Sequence, residues 1–173
     1  MKTLLLASAT LLLAITPIPA DEPGREDPFL DHLVGEWVMT GTIAGDEIVH
    51  DLDIDWVLNH HYIRIHELSR ERLDDGRPAY EAIVFIGWDA PSERYVCLWL
   101  DVTGGGGLVP EGFGYGKLQG DAIPFVWGDE TGGIHNTSTY DRDADSWNWV
   151  IDNVKPAGLS NFAEVTLRRA DSR

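Results

Sequence analysis

The run Gly35-Glu36-Trp37-Val38-Met39-Thr40-Gly41-Thr42-Ile43, followed by Ala44-Gly45 and then residues 46–58, decides the fold. Gly35 lets the backbone turn sharply where a Cβ would clash. Trp37 opens a strand and can plug one end of a barrel with a large apolar area. A two-residue turn at Ala44-Gly45 sets Trp37 opposite Leu52 and Met39 opposite His50. A second two-residue turn at Asn59-His60 sets Asp55 opposite Arg64 and Asp53 opposite His66 on one face. The other face then holds Trp56 with Ile63, Ile54 with Ile65, and Leu52 with Glu67. Side chains alternate with a period of two, so register decides which of them point inward. Both turns independently place Trp37 inward and the row Asp51, Asp53, Asp55 outward, where cross-strand charge pairs stabilise it.

Beyond this hairpin, short runs rich in Val, Ile, Trp, Tyr and Thr recur between Gly, Pro, Asp and Asn, the pattern of an antiparallel all-β barrel. Ten strands are expected, at 35–43, 46–58, 61–69, 78–88, 94–101, 112–118, 122–128, 134–140, 147–153 and 162–169. Residues 29–34 read as one helical turn capping the base, and no later stretch keeps a helical period. The hairpin from Tyr140 to Trp147 puts Asn136, Ser138, Tyr140, Trp147, Trp149 and Ile151 on one face. His135, Thr137, Thr139, Asn148 and Asp152 fall on the other. The fourth and fifth strands are apolar on both faces. Tyr80, Ala82, Val84, Ile86 and Trp88 oppose Ile83, Phe85, Val96, Leu98 and Leu100, and the sequence leaves open which set faces inward. Whichever set faces out makes a stripe suited to a homodimer contact through strands 80–100.

Residues 1–20 read as a secretory signal, with Lys2, an apolar run from Leu4 to Ile15, and a cleavage site at Ile18-Pro19-Ala20. Residues 21–28 read as a disordered leader and residues 29–173 as the barrel domain. Cleavage leaves about 150 residues, enough to bury roughly 70% of the unfolded surface in one core. The chain carries 13 basic and 29 acidic residues, a net charge of −16. Such a charge disfavours nucleic acid and anionic membrane as partners. Cys97 is the only cysteine, which excludes an internal disulfide and suits a periplasmic or secreted location.

Four features together resemble a known family: Phe29-Leu30-x-x-Leu33-Val34-Gly35-x-Trp37, Gly87-Trp88-Asp89, Trp99-Leu100-Asp101, and the terminal Leu167-Arg168-Arg169. The chain is similar to a bacterial calycin-like, or lipocalin-like, family known as a domain of unknown function. The resemblance implies an up-and-down barrel of about ten strands with an internal cavity and no established reaction. In such barrels an arginine near the chain's end stacks on the tryptophan of the first strand, and Arg168 and Arg169 are available here. Nitrobindin-type haem barrels are distantly similar. They ligate iron through a histidine near the chain's end, and no histidine follows His135. No cofactor is expected.

The expected ligand-binding set is Trp37, Met39, His50, Trp56, Glu67, Asn136, Tyr140, Trp147 and Trp149, a Trp-rich inner face with few polar groups, suited to a small, largely apolar ligand. His50 and Glu67 lie diagonally on this face near the open rim. A carboxylate beside an imidazole orients the ring for general acid–base work, so an enzyme using this pair is the alternative function. The plain reading of the pair is two solvated rim groups. No metal site is expected. His60 and His61 point opposite ways at a turn. Asp51, Asp53 and Asp55 are an outer strand row. The loop Asp141-x-Asp143-x-Asp145 with Asp152 approaches a calcium loop, but Ser146 replaces the needed glycine. Asn136-Thr137-Ser138 matches a glycosylation sequon on an inward-facing residue. Cys97, with Tyr95 and Trp99 on its face, reads as a buried, inert thiol.

Overall fold

A computed structural model of the protein describes residues 24–104, 108–129 and 131–171. The expected signal sequence and the first residues of the leader lie outside them. A helical turn α1 (Pro28–Asp31) precedes ten strands: β1 (Gly35–Ile43), β2 (Asp46–Val57), β3 (Tyr62–Ser69), β4 (Glu81–Asp89), β5 (Arg94–Asp101), β6 (Phe113–Gly116), β7 (Ala122–Asp129), β8 (Gly132–Asp141), β9 (Ser146–Lys155) and β10 (Gly158–Arg169). Each strand pairs antiparallel with the next in sequence, and β10 closes onto β1, so the sheet is a closed up-and-down barrel.

The first hairpin has the expected register, with Trp37 against Leu52 and Met39 against His50. The second also does, with Asp55 against Arg64 and Leu52 against Glu67. Its loop is longer than two residues, because Leu58, Asn59 and His60 all adopt positive φ and pairing stops at Val57 and Tyr62. Tyr140 pairs with Trp147, as the sequence implied. β6 is shorter than expected, and its pairing with β7 is limited to Tyr115 and Val126. Cβ atoms at Gly114 and Gly116 would strike the Trp127 ring and the Pro124 carbonyl, so these two glycines let β7 approach closely.

The structure settles the faces of β4 and β5. Ala82, Val84, Ile86, Tyr95 and Cys97 are buried in the core. Ile83, Phe85, Val96, Leu98 and Leu100 face outward and are half-buried. Phe85 pairs with Leu98 and Ile83 with Leu100, so each side chain shades its neighbour across the strands.

The base of the barrel is sealed by the segment before β1. The Trp37 indole donates to the Leu33 carbonyl at 2.7 Å. Trp147 reaches the His32 carbonyl at 3.4 Å, and Trp56 donates to Asp31 at 2.8 Å. Arg169 lies 3.8 Å over the Trp37 ring and donates to the carbonyls of Val34 and His32. A Cβ on Gly35, whose φ is +129°, would sit 2.7 Å from the Arg169 guanidinium. The last residues of the expected disordered leader are fastened to this base. Gly24 donates to the Asn59 carbonyl, and Arg25 lies over Trp88. Asp27 is buried, accepts from the Leu30 amide as helix cap, and accepts from the Tyr95 hydroxyl at 2.7 Å.

Trp37 is 1% exposed, so its loss opens the plug from within. Trp37→Ala is expected to cost about 3–5 kcal/mol, the usual range for a large aromatic removed from a core. Denaturant melts check this, and a loss below about 1 kcal/mol would show that the seal does not depend on Trp37.

Candidate functional site

The two ends of the barrel differ in how well they are filled. At the base, Phe29 meets Trp147 edge-on at 5.3 Å and Tyr140 packs on His32 at 4.5 Å. The hollow beside Asp27, Trp56 and Tyr95 measures about 20 Å³, room for roughly one water. At the other end the interior opens into a cup of about 990 Å³. Met39, His50, Glu67, Trp99, Trp149 and Val165 are among its walls. A side hollow of about 410 Å³ between Trp127, Ile134, Asn136 and Phe162 shares Tyr80, Trp99 and Ile151 with the cup.

The nine expected ligand-binding residues therefore divide. Met39, His50, Glu67 and Trp149 line the cup, and Asn136 lines the side hollow. Trp37, Trp56, Tyr140 and Trp147 belong to the sealed base and face neither space. They share the inner face, but the base of a strand and its rim open onto different surroundings. The tight turns fix the face without fixing the depth at which the interior is filled.

His50 and Glu67 do not form a solvated rim pair. His50 Nδ1 and Glu67 Oε1 lie 2.5 Å apart, and their side chains are 5% and 2% exposed. Tyr80 covers them. It was expected within the fourth strand, but β4 begins at Glu81, and the Tyr80 ring stacks on His50 at 5.5 Å. The Trp99 indole donates to the Tyr80 hydroxyl at 3.0 Å, and that hydroxyl donates to Asp101 at 3.3 Å. Burial, and then the negative charge of Glu67, push the Tyr80 phenol well above its ordinary range. Tyr80 thus keeps its proton and serves as a fixed donor.

Among the described residues, three buried polar side-chain atoms have no hydrogen-bond partner: Glu67 Oε2, Trp149 Nε1 and Asn136 Oδ1. Trp149 meets Trp99 edge-on at 6.4 Å, so two indoles form one wall of the cup. A buried polar group without a partner costs about 1–3 kcal/mol, more when charged. The side chains that carry the three atoms line the cup, for Glu67 and Trp149, and the side hollow, for Asn136.

The remaining candidates have structural roles. In the outer row, Arg70 binds Asp51 at 2.6 Å and Arg64 binds Asp55 at 2.9 Å. His66 stands opposite Asp53 but turns to Glu81 at 2.8 Å. His60 stacks on Trp56. In the loop after β8, Asp141 accepts from the amides of Asp143 and Ala144, and Asp145 binds Arg169 and Tyr140. Asp152 is in β9 and accepts from Asn161. These carboxylates do not converge, and among the described residues no group of three acidic, histidine or cysteine side chains is placed to hold a metal ion. Cys97 is buried, and desolvation pushes its thiol well above the ordinary range, which keeps it unreactive.

Sequence reasoning missed Tyr80, Trp99, Asp101 and Val165 as cup residues. The signal for Trp99 was present: it falls near the open end of β5, away from Tyr95 at the base. The apolar character of both faces of β4 and β5 hid it.

The fold and this site define a ten-strand up-and-down barrel sealed at one end and hollow at the other. The chain matches no protein-family model and no curated protein.

Proposed function

We propose that the protein is a secreted or periplasmic binding barrel that holds one small, largely apolar molecule in its open half. The observation that carries this reading is the cup of about 990 Å³ walled by Met39, Trp99, Trp149 and Val165. Pockets that take small molecules are concave, mostly apolar and supplied with a few fixed polar groups. The alternative is an enzyme acting on a small molecule through His50 and Glu67. It is favoured by the 2.5 Å contact between them at the cup wall. A buried, oriented imidazole suits general acid–base chemistry.

Native mass spectrometry of the protein from the fraction into which it is secreted, combined with titration of the neutral dye Nile red, tests both. Binding is supported by a retained small molecule that survives incubation unchanged, and by saturable one-to-one uptake of the dye. Conversion of that molecule during incubation would favour the enzyme. A bare protein that also takes up no dye would contradict both.

The outward face of β4 and β5 supports a further proposal, a two-fold homodimer through this stripe. A hollow of about 500 Å³ lies there between Tyr62, Phe85, Val96, Leu98 and Phe113. The flanking charges Arg94 and Asp89 neutralise each other at 3.2 Å, which lowers the repulsion between two acidic copies. The unaltered protein is expected to sediment as a dimer and Leu98→Glu as a folded monomer. A monomer at high concentration of the unaltered chain would contradict this.

A further inference from the structure

We infer that the molecule this cup takes is a small organic amine, bound as its ammonium ion with an apolar body. The inference rests on the binding reading above and adds the chemistry of the occupant. Glu67 supplies the first observation. Its Oε1 is taken by His50, while its Oε2 is buried and has no donor. A carboxylate oxygen in that position calls for an N–H or O–H from whatever fills the cup.

Charge decides between a cationic and a neutral donor. Asp46, Glu47, Glu71 and Asp101 line the cup together with Glu67. Two basic side chains are in the described lining: Arg70, held by Asp51 at 2.6 Å, and His50, which occupies Glu67 Oε1 and leaves four other carboxylates around the cup. The whole chain carries −16, so the field at the mouth attracts cations and repels carboxylates.

The walls agree with this choice. Trp99 and Trp149 stand edge-to-face, and Tyr80 lies beside them over His50. An ammonium group near such rings is attracted by their electron-rich faces, more strongly where water is excluded. The free Trp149 Nε1 asks for an acceptor, which a hydroxyl or ether on the amine's body would supply. A quaternary ammonium would satisfy the rings but leave Glu67 Oε2 without a donor, so the site favours an amine that carries N–H.

The test compares three probes with one body: phenethylamine, phenethyl alcohol and phenylpropionate, titrated calorimetrically into the intact barrel. The amine is expected to bind roughly tenfold tighter than the alcohol, because both can give Glu67 a hydrogen bond but only the ammonium adds an attraction between opposite charges. The carboxylate is expected to bind weakest. Glu67→Gln is expected to weaken the amine far more than the alcohol, so that the amine's advantage is lost. Where that variant fails to fold, salt gives a second reading on the unaltered protein: the amine's affinity falls with ionic strength and the alcohol's does not. An alcohol or carboxylate that binds as tightly as the amine overturns the inference, as does an amine advantage insensitive to salt. If Nile red enters and all three probes stay out, the amine falls alone. If the dye stays out as well, the binding reading falls first.

Discussion

The structure depends on closing one end of the barrel, and the Trp37 indole is the piece that closes it. A ten-strand barrel has an interior wider than its own side chains readily fill along the whole length. The chain solves this at one end by laying residues 28–34 across the base. Those residues present carbonyls that need donors. Trp37 and Trp147 supply them from inside the barrel, and Arg169 supplies them from the last strand. Each indole buries a large apolar area and satisfies a backbone acceptor at once. Arg169 covers the remaining face of Trp37, which ties the beginning of the domain to its end. Asp27 extends the seal by joining the helix cap to Tyr95 on β5.

With the base filled, the open half is left as a cup, and its composition differs accordingly. The base is packed with Phe29, Trp37, Tyr140 and Trp147, all of them buried. The cup has large rings on its walls and nothing of that size at its centre. It keeps a buried His50–Glu67 pair and an indole without an acceptor, and the side hollow next to it keeps an amide oxygen without a donor, groups that a packed core would exclude. A packed apolar core of the same shape would be more stable without them. They gather at the cup and the side hollow beside it.

Much of the fold was legible because two physical rules are strict. Side chains alternate along a strand, and a short turn fixes which residues stand opposite each other. From Ala44-Gly45 and the histidine-bearing turn after β2 came the registers of three strands, and with them the inward placement of His50 and Glu67. The terminal arginine that reaches Trp37 is Arg169. The depth of the His50–Glu67 pair was not legible, because it depends on Tyr80 folding inward from a long connection that follows no strand rule. The inward face of β4 and β5 was hidden for another reason: both faces are apolar, and only closure of the barrel chooses between them. The role of Asp27 was masked by its polar, proline-bearing neighbours, although Asp-Pro before an apolar turn is a helix-start signal.

The central claim is that one barrel has a sealed half and a receptive half, and the tryptophan side chains report on both. Two-dimensional NMR of the indole N–H groups, recorded with and without Nile red, tests it most directly. The account predicts that the Trp37 and Trp147 signals exchange slowly with solvent and do not move, while the Trp149 signal shifts as the dye binds. Shifts at Trp37 and Trp147 with none at Trp149 would contradict it.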